Sequence, residues 1–397
     1  MLERSLTPHA VDLARRFPAV AITGPRQSGK TTFAQSCFEH LPYVLLEDPT
    51  ERAACQDDPH GFLARFPNGA VLDEIQNVPD LFSYLQGDID RTKTAGRWIL
   101  TGSTAMDLDR SISQSLAGRI ATLELLPFAR VELDGQPSRP ATLTHSVLEG
   151  GYPPLFDPER NHEPVSWLDQ YIRNFVRRDV RDLLDVRNRT AFDVFLRQCA
   201  ARSGQVLDYS DLASTCGIDI KTAKEWISVL EACYVIHLLR PHYRNFGKRL
   251  TKRPKLYFVD TGLACRLLHL SDVNQLRGHP RWGALAETWC ISEILKSRAH
   301  SAKSRNLWFW RTSDGHEVDV VIETTGGALF PIEITAAATP APEKANGLAK
   351  LRELSLRDAD ARVLPGVVLY GGDEVRPVRE DRFVPWDSIA ETLEEVP

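Results

Sequence analysis

The eight residues Gly24-Pro25-Arg26-Gln27-Ser28-Gly29-Lys30-Thr31 constrain this chain more than any other stretch. They match the pattern G-x-x-x-x-G-K-[ST] at every fixed position, in the context that the pattern requires. Ala19-Val20-Ala21-Ile22-Thr23 precedes them, an apolar run of the kind that forms a buried parallel strand. Thr32 to Phe38 follows and reads as a helix. Glycines let backbone N–H groups turn inward around phosphate oxygens, and the helix adds its positive amino end. The loop therefore predicts a site for ATP with Mg2+, formed by Gly24 to Thr31 together with Thr32. Lys30 would meet the β- and γ-phosphates, and the Thr31 hydroxyl would ligate Mg2+.

Apolar runs like the first recur at Tyr43–Leu46, Ala70–Leu72, Trp98–Leu100 and Ala121–Leu125, with helical or loop segments between them. Strands alternating with helices argue for a parallel sheet covered on both faces, so about 1–155 reads as a doubly wound α/β domain. Val71-Leu72 runs into Asp73-Glu74 at a strand end. Asp73 fits a Mg2+-holding acid, and Glu74 fits the general base that polarises the attacking water. A second strand end, Thr101-Gly102-Ser103, places hydroxyls where open α/β sheets bind ligands. Thr101 or Ser103 is positioned to sense the γ-phosphate, or to satisfy a turn. Arg119, after Ser115-Leu116-Ala117-Gly118, precedes the fifth strand. It suits either an arginine finger reaching a neighbouring subunit's nucleotide or a solvated surface position.

At 397 residues the chain has room for two or three domains. A net charge of −5 excludes a chain that binds polyanions over its whole surface, while leaving room for a local basic face. The 7 cysteines are scattered and show no C-x-x-C spacing, which points to free thiols in a reducing compartment. No run of 18 apolar residues and no secretory leader pattern occurs, so a cytoplasmic protein without membrane spans is expected.

Several segments together resemble a widespread prokaryotic family of ATP-binding AAA-type proteins. They are GPRQSGKTT at 24–32, VLDEIQNVP at 71–79, ILTGS at 99–103, SLAGR at 115–119, LLPF at 125–128, FVDTGL at 258–263, RTSDGHEVDVVIE at 311–323 and PIEIT at 331–335. The resemblance implies an ATPase core over 1–155, a helical and winged-helix-like region over 156–275, and a C-terminal α/β fold over 276–397 akin to PD-(D/E)xK (restriction-endonuclease-like) nucleases. An arginine finger at Arg119 would require a second copy of the chain, and so a homo-oligomer.

The middle region reads the same way from its residues. Tyr209 to Cys216 and Ile220 to Ala232 form a helix pair around Gly217, with Ser210 and Asp219 at the N-cap positions, and a strand pair follows. The stretch 232–259 contains no acid but holds Arg240, Arg244, Lys248, Arg249, Lys252, Arg253 and Lys255, with Tyr243 and Phe246 interleaved. That pattern over 240–255 suits a nucleic-acid backbone, a solvated hairpin, or a winged helix that serves only as a protein-contact module.

In the C-terminal region the nuclease resemblance implies a helical acid at Glu287, a strand acid at Asp319 and a second acid at Glu333, a possible second metal site. The lysine of such a centre falls at Thr335, which carries no charge, so a degenerate, cation-deficient centre is expected. Three functions fit these residues: an ATPase driving a regulatory or nucleic-acid-associated module, an ATP-dependent metal nuclease, and a STAND-like scaffold that uses nucleotide as a slow switch.

Overall fold

The computed structural model describes residues 2–103, 116–160, 162–180, 188–242, 252–356 and 361–396. Five short strands build the first sheet: β1 (Ala19–Thr23), β2 (Tyr43–Leu45), β3 (Ala70–Asp73), β4 (Trp98–Gly102) and β5 (Ile120–Glu124). All pair in parallel, in the order β2-β3-β4-β1-β5. β1 is buried at all five positions, which is why its sequence is uniformly apolar up to Thr23.

Alternation along the strands splits this sheet's contacts into two cores. Ala19, Ala21, Leu72 and Leu100 face one side, where they meet Phe62, Phe82, Leu85 and Ile89 from the helices Pro59–Ala64 and Leu81–Thr92. Val20, Ile22, Val71 and Ile99 face the other, against Ala10, Phe33 and Ala34 from the helices Thr7–Arg16 and Lys30–Cys37. Fully burying each of these larger side chains contributes about 1.5–3 kcal/mol. The layout is that of a P-loop NTPase, with the carboxyl ends of β1, β3 and β4 along one edge.

The remaining strands form a second sheet: β6 (Gln205–Val206), β7 (Ile236–Pro241), β8 (Lys255–Phe258), β9 (Leu307–Arg311), β10 (Glu317–Glu323), β11 (Leu329–Ile334), β12 (Val367–Tyr370), β13 (Arg376–Val378) and β14 (Asp381–Pro385). Their order is β13-β14-β12-β11-β10-β9-β7-β8-β6. β7 pairs antiparallel with β8 and, on its other edge, parallel with β9 through Arg240↔Trp308. The strand pair of the middle region is thus continuous with the C-terminal sheet, and one apolar core runs from Leu126 to Val396. The boundary expected near residue 275 therefore falls inside a shared sheet and core.

The helices Tyr209–Cys216 and Ile220–Ala232 flank Gly217, which takes the left-handed conformation (φ 65°) that ends the first helix. Asp208, rather than Ser210, caps the first helix by accepting from the Ser210 and Asp211 amides. Asp219 caps the second through the Thr222 amide. The segment 136–165 contains a helix, Leu143–Glu149, capped by Thr142. Ser115, Tyr243, Arg244, Phe246, Lys248 and Arg249 lie outside the described residues. None of the seven cysteines forms a disulfide. Among the described residues, no helix is long and apolar enough to cross a membrane.

Candidate nucleotide-binding site

Where β1 ends, the chain must turn sharply beneath the sheet edge. Gly24 has φ 146°, and a Cβ there would collide with the Leu125 carbonyl oxygen. Gly29 (φ 90°) opens the helix Lys30–Cys37, and Gln27 takes φ 61° between them. Pro25 and Ser28 are buried, Arg26, Gln27 and Thr32 exposed. Lys30 is buried, and its Nζ donates to Gly24 O (3.0 Å) and Pro25 O (2.8 Å). Burial lowers its pKa to about 8, with Glu74 and Asp73 opposing the shift.

Asp73 ends β3 and is almost fully buried. The Thr31 hydroxyl donates to its Oδ2 at 2.7 Å, and so does the Tyr43 hydroxyl at 2.7 Å. The Thr101 hydroxyl donates to Oδ1. Three elements therefore fix one carboxylate beside the loop. Glu74 follows with φ 56°, a left-handed residue that breaks the strand and presents its side chain at the sheet edge. Its amide donates to Thr101 Oγ1 (3.2 Å). Its Oε2 accepts from Gln76 Nε2 and from the Ser103 hydroxyl (3.3 Å). Thr101 thus orients both acids instead of standing free to meet phosphate.

The back of the loop is held by the middle region and by the amino-terminal segment that carries Arg4. Tyr171 donates to Arg26 O (3.1 Å), Tyr234 to Thr23 Oγ1 (3.0 Å), and Arg4 Nη1 to Ser28 O (3.0 Å). The Arg26 guanidinium stands 5.7 Å from the Phe175 ring centre. Arg119, by contrast, sits at the amino end of β5, opposite the phosphate loop, where its guanidinium grips both Asp90 oxygens (2.6 and 2.9 Å). Tyr43, Tyr171, Tyr234 and Arg4 carry no motif that announces them; only the fold brings them to the loop.

Two of the three C-terminal acids, Glu287 and Asp319, meet around a residue that the sequence had placed elsewhere. Glu287 comes from the helix Trp282–His300, Asp319 from β10 and Glu333 from β11. Lys255 Nζ, from β8, lies 3.3 Å from Glu287 Oε1 and 3.3 Å from Asp319 Oδ1, and it also pairs with Glu317. Two expectations are corrected by this. The acids do have a cation, supplied by a different strand and not from position 335. Lys255 is only 4% exposed, so it is not part of a basic face.

The class defined by this fold and loop is matched at the level of sequence. The model of an AAA domain matches residues 16–133, and two domains of unknown function, DUF8612 and DUF4143, match 141–274 and 282–389. The uncharacterized protein Mb2031c of Mycobacterium bovis and the uncharacterized protein Rv2008c of Mycobacterium tuberculosis are each 30% identical over 382 residues, covering 95% of this chain and 82% of theirs. The chain belongs to the family of these mycobacterial proteins, with a P-loop AAA domain at its amino end.

Among solved structures, the Walker-type ATPase PABY2304 of Pyrococcus abyssi is 12% identical, with a TM-score of 0.45 over 68% of this chain and 96% of that one. RuvB of Thermotoga maritima is 17% identical, with a TM-score of 0.32 over 67% and 93%. Those superpositions are loose, and family membership rests on the sequence matches.

Proposed function

We propose that the chain is an ATPase that binds ATP with Mg2+ at residues 24–32 and passes its nucleotide state to the middle and C-terminal regions. One observation carries the reading: Asp73 is fixed by the Thr31, Tyr43 and Thr101 hydroxyls, with Lys30 and Glu74 on either side of it. Thr31 and Asp73 are the pair that would hold Mg2+, whose charge offsets that of the phosphates. Lys30 exchanges its two loop carbonyls for β- and γ-phosphate oxygens. Glu74 takes the proton of the attacking water.

The relay is supported by the contacts that Tyr171, Tyr234 and Arg4 make to the loop and to Thr23, since a change in loop geometry must move these partners. The test is ATP turnover by the full chain in Mg2+ and in EDTA, beside Lys30→Ala. Metal-dependent turnover lost in Lys30→Ala is expected, and a variant that hydrolyses like the wild type overturns the assignment.

A slower, switch-like use of ATP is favoured by two contacts: Gln76 and Ser103 already engage the Glu74 carboxylate. Single-turnover kinetics separate the two readings, since a switch binds ATP stably and releases product on a far longer timescale. The exposed residues Arg240, Lys252 and Arg253 complete the proposal as a place for a nucleic-acid backbone.

A further inference from the structure

Lys255 is held more tightly than any role in the middle region demands. Its ammonium touches three carboxylates from two elements, the helix Trp282–His300 and β10, while the lysine itself belongs to β8. Each acid also has a further partner. Tyr257 donates to Glu287 Oε1 at 2.6 Å, the Ile334 amide donates to Asp319 Oδ2 at 2.9 Å, and Arg311 Nε stands 3.4 Å from Glu317 Oε2. Burial first, and then the adjoining Asp319 carboxylate, push the Glu333 pKa well above the usual carboxylate range.

The lysine's Nζ lies 5.6 Å from the centre of the Phe309 ring, which forms an apolar wall behind the charge. Among the described residues, no group of three or more His, Cys, Asp and Glu is arranged to hold a metal ion. The carboxylates surround an ammonium and do not converge on a metal.

We infer that the Lys255 ammonium is the resident cation of the Glu287–Glu317–Asp319 cluster, that it takes the place of a divalent ion, and that it thereby closes the C-terminal region to metal while fastening β8 to it. A buried carboxylate group without a counter-charge is unstable, so the cluster needs some cation, and the lysine is the one built into the chain. Removing the ammonium while keeping the side chain's length should leave carboxylates that recruit a divalent ion. This inference is independent of the ATPase reading, because it concerns neither the phosphate loop nor turnover.

The experiment titrates nucleotide-free full-length protein with Mn2+ and follows free Mn2+ by electron paramagnetic resonance. Wild type and Asp319→Asn should take up equal amounts of Mn2+, any binding near Asp73 being common to both. Lys255→Met should gain one site, at least about tenfold tighter than any in the wild type, the scale on which supporting groups tune metal affinity. That site should vanish in Lys255→Met/Asp319→Asn. A folded Lys255→Met protein that gains no Asp319-dependent site overturns the inference. So does a wild type whose Mn2+ uptake falls in Asp319→Asn, a comparison that decides the matter even if Lys255→Met does not fold.

Discussion

Arg4 and His300 are 296 residues apart in the chain, yet Arg4 Nη2 lies 3.3 Å from His300 Nε2. Arg4 also donates to Ser28 O in the phosphate loop (3.0 Å) and to Leu126 O (2.6 Å), while its Nε pairs with Glu132 Oε1 at 3.1 Å. His300 Nδ1 stands 3.1 Å from the other Glu132 oxygen. Arginine can only donate, so His300 Nε2 is the acceptor of the contact with Arg4. His300 is also the last residue of the helix whose early turns carry Glu287. Thirteen residues of helix span roughly 20 Å. One rigid element thus joins the back of the phosphate loop to the Lys255 cluster.

The first prediction follows from Glu132 at the centre of that contact. Burial on its own would raise its pKa, but His300, Arg4 and the Ala129 amide outweigh this and hold it at about 2. A folded-state pKa depressed below the ordinary 4.5 gives stability that is fully present above pH 4.5 and is lost as pH falls toward 2. The amount is on the order of 3 kcal/mol. Glu132→Gln should destabilise the protein at pH 7 by about 3–5 kcal/mol, because it leaves Arg4 buried without its partner. Urea midpoints measured from pH 6 down to pH 2.5 should then fall less steeply in Glu132→Gln than in the wild type. Equal slopes would show that Glu132 is not the group responsible.

The second concerns the base. Glu74→Gln should keep ATP binding and cut turnover by roughly 10²–10⁴. Gln76→Ala and Ser103→Ala each remove one partner of the Glu74 Oε2 atom. Both should lower kcat by less than Glu74→Gln does, with ATP affinity unchanged. A rise in kcat would instead mean that the two side chains restrain Glu74 and do not aim it.

Reading the chain as letters reached the phosphate loop, Asp73, Glu74 and the alternation of strands and helices because each is local: a turn chemistry, a strand end, a period. Lys255 was misread for the same reason. Its neighbours in sequence are basic and acid-free, so local charge suggests an exposed face, whereas the β8–β7–β9 pairing carries it under Glu287 and Asp319. Tyr43 was counted as part of a buried strand, and its hydroxyl on Asp73 depends on the β2–β3 register that sets Leu45 beside Asp73. The junction of β7 with β9 escaped notice because a two-residue parallel pairing leaves no periodic trace.

The third prediction concerns Arg119. It stands at the amino end of β5, while the phosphate loop leaves the carboxyl end of β1, and the five-residue register between these strands puts the two about 16 Å apart. Arg119 can therefore act only on the nucleotide of another copy, after releasing Asp90. ATPase activity per chain should rise with protein concentration, and Arg119→Ala should abolish the rise; a finger is worth about 10³ or more in rate. Asp90→Ala should preserve the rise. Turnover that is independent of concentration in a strictly monomeric sample would eliminate the finger.

The last prediction concerns nucleic acid. Arg240, Lys252 and Arg253 are exposed, and Arg253 pairs with Asp208 at the cap of the first helix of the helix pair. A phosphate backbone can compete for these cations, since a surface pair of this kind is worth only about 0–1 kcal/mol. Each phosphate neutralised on duplex DNA should steepen the slope of log affinity against log salt by about 0.9. Binding should therefore be weak and salt-sensitive. The triple variant Arg240→Ala/Lys252→Ala/Arg253→Ala should flatten the slope by about 3, one for each lost contact. Lys255→Met should leave the slope alone, because its ammonium faces carboxylates and not solvent. In Mg2+ the bound DNA should stay uncut, the acids being already occupied by that ammonium. Fluorescence anisotropy across a salt series, run beside a cleavage assay, measures all of this. An unchanged slope in the triple variant would move the contact elsewhere, and no binding even at low salt would turn the helix pair toward a protein partner.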